Sequence, residues 1–181
     1  MNYIIRTLTK SEFALYKNIR LDSLRNHQDN FGAIYEDEAG SNVLKFSHIF
    51  ADTVTNDFIY GAFVEDEIIG ICGFMQETKT KTRHLGEITQ MYVKPSYSGK
   101  GIGMKLIAAA LNKAFSNTTI EQIKLTVIAS NEKAIALYKK AGFVRYGIFE
   151  GYYKSGDTYW TETFMRITRA EYFNNKEQFS G

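Results

Sequence analysis

The sequence predicts an α/β (α+β) fold in one domain. Strand-like and helix-like apolar runs alternate along the chain, and no repeat or linker rich in Pro, Gly or Ser interrupts them. A length of 181 residues suits a single domain of ordinary size, 1–181, with enough chain to bury a core. Hydrophobic residues at 44% and charged residues at 23% match soluble globular proteins rather than disordered or membrane chains.

The elements follow in order. Tyr3 to Leu8 reads as a strand, and Thr9 with Glu12 forms a capping box for a helix reaching about Asn26. Gln28 to Gly40 carries no clear period, and a second helix is expected over Asn42 to Ala51. Phe58 to Val64 and Ile68 to Met75 form a hairpin about Glu65-Asp66-Glu67. Gly86 to Val93 is a strand closed by Pro95, the only proline, which cannot donate to a ladder. Ile102 to Phe115 has helical spacing at Leu106, Ile107, Ala110, Leu111 and Ala114. Ile123 to Ile128 reads as a buried strand, and Asn131 to Ala141 as a helix ended by Gly142. Phe143 to Tyr153 and Tyr159 to Ile167 flank a Lys154-Ser155-Gly156-Asp157 turn, and Thr168 with Glu171 caps a last short helix.

Several function classes are disfavoured at this level. A net charge of +2 is too small to argue for nucleic acid or a membrane surface. The N-terminus lacks a secretory apolar segment, and one cysteine cannot make an internal disulfide, so a cytoplasmic setting is expected. His27, His48 and His84 are scattered without ligand spacing, so no metal is implied. Cys72 lies in the apolar run Ile68 to Phe74, where a free cysteine behaves as a small hydrophobe.

The chemistry concentrates between a strand and a helix, in Val93-Lys94-Pro95-Ser96-Tyr97-Ser98-Gly99-Lys100-Gly101-Ile102-Gly103-Met104. Alternate glycines let backbone turn tightly and approach a ligand. The first amides of the following helix lack intrahelical partners and carry the positive end of its dipole, which suits a phosphate. The spacing is neither the dinucleotide fingerprint nor a Walker A loop. A ligand-free turn is the alternative.

This stretch resembles motif A of the GNAT superfamily of N-acetyltransferases, Arg/Gln-x-x-Gly-x-Gly/Ala, with Gly101 and Gly103 at its small positions and Ser98 in place of Arg or Gln. Asn131-Glu132-Lys133-Ala134-Ile135-Ala136-Leu137-Tyr138-Lys139-Lys140-Ala141-Gly142-Phe143 is similar to the family's motif B. The resemblance implies a mixed, mostly antiparallel sheet of about seven strands flanked by helices. It implies an acetyl-CoA-binding core over 58–167 and an acceptor-side part over 1–55, with acetyl-CoA as co-substrate. Ser98, Gly99, Lys100, Gly101, Ile102, Gly103 and Met104 would then hold the pyrophosphate. Met91, Tyr92 and Val93 would offer backbone groups to the pantetheine, with Asn131 and Ala134 along the same arm. Tyr138 would sit near the thioester sulfur as the acid, its alternative being a core tyrosine; a plain N-cap is the alternative for Asn131.

The resemblance implies Glu87 as the base, since a glutamate at this place on the same strand is the base in the family's histone-modifying branch, and a carboxylate in an apolar strand needs a reason to be there. Its alternative is a solvated strand end paired with Arg83 or His84. The acceptor implied is an amine of a small molecule, with a protein N-terminus or lysine next, and a non-catalytic acyl-CoA-binding module as the reading from another class. Glu36-Asp37-Glu38 could face a cationic acceptor or simply solvent, and Tyr152, Tyr153, Tyr159 and Trp160 could wall the acceptor pocket or form a homodimer contact.

Overall fold

The computed structural model describes residues 1–51 and 53–178. Seven strands form one sheet: β1 Ile4–Thr7, β2 Phe58–Val64, β3 Glu67–Gln76, β4 Leu85–Val93, β5 Gln122–Ile128, β6 Val144–Ser155 and β7 Thr158–Thr168. Their order is β1-β2-β3-β4-β5-β7-β6. β4 and β5 pair parallel, whereas β1 with β2, β2 with β3, β5 with β7 and β6 with β7 pair antiparallel. The helices are α1 Phe13–Asn26, α2 Tyr35–Ala39, α3 Ile102–Ser116, α4 Glu132–Lys140 and α5 Arg169–Gln178. The mixed, mostly antiparallel class expected from the sequence is the class observed.

The chain groups into two compact units, Met1–Met75 with Ile88–Asn112, and Gln76–Glu87 with the residues from Lys113 onward. In the first, Tyr16 and Ile19 of α1 pack with Phe46, Ile59, Phe63, Ile68, Ile71 and Tyr92 in one buried cluster. Rings at this density make truncation costly, about 3–5 kcal/mol for a Phe→Ala change. In the second, Ile123, Leu125 and Val127 of β5 and Met165 and Ile167 of β7 are buried, while Lys124 and Thr126 alternate to the other face.

Most ends fall where their chemistry places them. Glu12 Oε2 accepts from the Thr9 amide at 2.7 Å, although the first turn, Lys10–Glu12, is 3₁₀ rather than α. Both halves of the second capping box form, with Thr168 N–H donating to Glu171 at 2.7 Å and Glu171 N–H donating to Thr168 Oγ1 at 3.2 Å. Gly142 adopts φ +96° directly after α4.

The helix expected over Asn42 to Ala51 is absent. Only Ser47–Phe50 coils there, as a 3₁₀ turn, while α2 lies earlier, inside the stretch that showed no period. Serine hydroxyls divert this backbone: Ser41 Oγ bonds both N–H and carbonyl of Val43, and Leu44 N–H donates to Ser47 Oγ at 2.7 Å.

Candidate functional site

The glycine loop lies in the first unit. Lys94 N–H donates to the Ile69 carbonyl at 2.9 Å, and Lys94 Nζ and the Tyr97 hydroxyl both reach the Glu67 carboxylate, so β3 holds the loop's base. After the 3₁₀ turn Pro95–Tyr97, Gly99 and Gly101 take φ +76° and +77°. An L side chain is strained in that region, so glycine is required by conformation. A Cβ built at either position meets nothing within 4 Å. The loop therefore presents an open backbone face where α3 begins. Ile102 is buried and anchors the helix, and Lys105 N–H donates to the Gly101 carbonyl at 3.2 Å. The amides of Ile102, Gly103 and Met104 are the first-turn donors that no intrahelical bond satisfies. Lys100 folds back on Ser96 and the Tyr97 ring and so braces the turn.

One feature of β4 gave no sign in the spacing. Gln90 sits in mid-strand with φ +53° and only 8% exposure. A non-glycine residue in this region is uncommon and persists only where its surroundings fix it. The fixing group is Tyr16, whose hydroxyl donates to Gln90 Oε1 at 2.9 Å. Burial pushes that phenol up to about 12. Two residues on, the Tyr92 hydroxyl donates to Asp22 at 2.8 Å, so Tyr92 has its side chain committed to α1. Of the acidic run, Glu38 is likewise engaged, taking a bidentate bond from Arg20 at 2.7 and 2.9 Å.

The second unit carries Asn131, Ala134, Tyr138 and Glu87, whereas Cys72 lies in the first. Asn131 Oδ1 accepts from the Ala134 amide at 3.1 Å, which makes it the N-cap of α4 and leaves its two Nδ2–H donors outside that bond. Tyr138, one turn beyond Ala134, is 7% exposed and meets the Phe143 ring edge-on with centroids 6.0 Å apart. Glu87 is half-buried and stands opposite Lys124 in the β4–β5 register. Lys124 is itself ion-paired to Glu77 at 2.7 Å. Cys72 is fully buried, and burial pushes its thiol up to about 12, far from a nucleophilic thiolate.

Glu162 of β7 was not singled out by sequence reasoning. It is 2% exposed, and its Oε2 has no hydrogen-bond partner. Burial and then the Glu87 charge raise its pKa, against one hydrogen bond from Thr126. The argument that flagged Glu87, a carboxylate inside a strand, applied to Glu162 as well.

Over 100 residues the chain is 31% identical to N-alpha-acetyltransferase 30 of Schizosaccharomyces pombe, covering 55% of this chain and 66% of that protein. Over 60 residues it is 38% identical to the aminoglycoside N(6')-acetyltransferase type 1 of Klebsiella pneumoniae, covering 33% of this chain and 30% of that protein. The match spans 24% to 66% of the length of these and similar curated relatives. The fold superposes on yncA of Salmonella typhimurium, solved with its cofactor acetyl-CoA, with a TM-score of 0.76 at 18% identity over 93% of this chain and 94% of that one. The family model for acetyltransferases of the GNAT type matches residues 21–143, a stretch holding both the open glycine loop and the Asn131-capped helix. The chain belongs to the acetyltransferase (GNAT) family, whose members are acetyl-CoA-dependent transferases.

Proposed function

We propose that this protein is an N-acetyltransferase that moves acetyl from acetyl-CoA directly to an amine, the acceptor being a small molecule. The observation that carries the reading is the open backbone face at Gly99 and Gly101, at the start of α3, within the family match. A pyrophosphate fits there because amides and a helix dipole converge where no side chain intrudes. Acetyl-CoA supplies the acetyl group as a thioester.

The roles assigned to this chain's residues follow from what the chemistry needs. An aliphatic amine has a pKa near ~10 and must lose a proton before it can attack. Glu87 is the group that takes it. Tyr138 holds a phenolic proton for the departing sulfur. Asn131 has side-chain donors to spare for an amide of the pantetheine, beside Ala134, and the backbone of Met91, Tyr92 and Val93 extends strand-like bonds to the same arm. A buried, non-nucleophilic Cys72 favours direct transfer over an acetyl-enzyme.

Release of free thiol from acetyl-CoA, screened against amines and peptides, tests this reading. Amine-dependent release supports it. Release driven only by peptides with a free N-terminus or by lysine side chains would move the acceptor to the protein class represented by the Schizosaccharomyces relative.

A further inference from the structure

β6 departs from a regular strand beside Glu162. Its register with β7 is Phe149 opposite Glu162 and then Tyr153 opposite Trp160, so three β6 residues face a single β7 residue between those rungs. Gly151, with φ +64°, makes that bulge. Consecutive strand residues normally point to opposite faces. Here Tyr152 and Tyr153 instead meet edge-on at 4.7 Å, and Tyr152 also meets Phe149 at 5.2 Å and Phe164 at 6.2 Å. Phe149 and Tyr152 are each about half exposed, at 54% and 50%. The bulge thus gathers aromatic faces next to a buried carboxylate.

No cation is among the groups that act on that carboxylate. Lys124 is paired with Glu77, and Arg166 with Glu171 at 3.0 Å. Glu87 acts on Glu162 with the same sign, and both carboxylates act on the Tyr153 hydroxyl. Burial, followed by those charges, pushes the Tyr153 phenol up to about 12, so it stays a hydrogen-bond donor. A carboxyl buried without a cation is disfavoured as the anion, and either keeps its proton or takes a cation from a ligand. Aromatic faces beside it attract the same kind of ligand.

We infer that Glu162, with Glu87 and Tyr153, forms an ammonium-recognition subsite walled by Phe149, Tyr152 and Phe164, and that the acceptor enters it as a cation. The inference rests on the amine-acetyltransferase reading for its purpose, but the binding it describes is measurable without turnover. The shared chemistry is a protonated primary amine, carried by an alkyl diamine or by a peptide N-terminus.

The test is calorimetric binding of 1,4-diaminobutane, 1,4-butanediol and a tetrapeptide with a free N-terminus to CoA-saturated protein. The diamine is expected to bind and the diol not to. Glu162→Gln should weaken the diamine at least tenfold while leaving CoA affinity unchanged. Its melting temperature should equal or exceed wild type, because the desolvation cost of a buried ionisable carboxyl has been removed; a purely structural carboxyl would lower it. Tyr152→Ala should weaken the diamine by a smaller factor. Tighter binding of the tetrapeptide than of the diamine, lost in Glu162→Gln, assigns the same subsite to peptide N-termini. Equal binding of diol and diamine, no diamine binding, or undiminished affinity in Glu162→Gln overturns the inference. Amine-dependent thiol release with an unchanged KM for the amine in Glu162→Gln defeats the subsite alone. Diamine binding that needs Glu162, without thiol release for any amine, defeats the transferase reading alone.

Discussion

The Tyr16 hydroxyl donates to Gln90 Oε1 at 2.9 Å and so ties α1 to the one residue of β4 with positive φ. Tyr16 also receives a backbone hydrogen bond from Phe46. Tyr16→Phe strands both partners in a buried place, where an unmet polar group costs roughly 1–3 kcal/mol. We expect the variant to lose about 2 kcal/mol in urea unfolding. A loss within error of zero would mean that Gln90 is held by the strand alone.

The glycine loop separates strain from crowding. Gly99 and Gly101 have open space around the missing Cβ but left-handed backbone, so a side chain at either place strains the turn without a clash in the free protein. Gly101→Val should therefore weaken CoA binding far more than it lowers stability, because the side chain fills the face left for phosphate. Ser98→Arg, which restores the family's usual residue, should tighten CoA by no more than about tenfold, 1.4 kcal/mol. Calorimetry on both variants decides; near-normal affinity in Gly101→Val would move the pyrophosphate off this loop.

Tyr138→Phe should lower turnover roughly a hundredfold with acetyl-CoA affinity unchanged, as loss of a general acid does. The ring itself packs on Phe143, so the phenyl variant keeps the fold. Normal turnover would make Tyr138 a packing residue. Cys72→Ala should stay active, since the thiol is buried and fully protonated.

Glu12 gives a pH signature. Hydrogen bonds from Arg6, at 2.7 and 2.9 Å, hold its carboxyl at about 2 against an ordinary 4.5, with Thr9 adding to the effect. A carboxylate with a depressed folded pKa stabilises fully above its ordinary value, and the contribution is lost as pH falls towards the folded one. Glu12→Gln keeps the capping bond but loses the ion pair with Arg6, and should cost up to about 1 kcal/mol at pH 7. The difference from wild type should shrink between pH 4.5 and 2. A difference independent of pH would remove the charge from the account.

What could be read from the sequence and what could not divide along physical lines. α3, α4 and both capping boxes depend on residues three or four apart, so their period and their caps stand in one short stretch. Asn131 is both legible and ambiguous: its capping bond is local, whereas the free donors matter only to a ligand. The stretch from Ser41 to Phe50 is not helical because its buried residues, Leu44 and Phe46, stand two apart rather than at helical spacing, and serine hydroxyls capture the backbone. Gln90 gave no local sign, and Glu162 showed only its type, a carboxylate inside a strand like Glu87. Each gains its meaning from groups far along the chain, Tyr16 in one case and Glu87 in the other.

The measurement closest to the central claim is the melting temperature in saturating acetyl-CoA. A ligand that binds only the folded protein must stabilise it, by about 2.7 kcal/mol at a hundred times its Kd. The account predicts a one-site, saturable rise for the wild type that is largely lost in Gly101→Val. A melting temperature unmoved by acetyl-CoA and by CoA would contradict it.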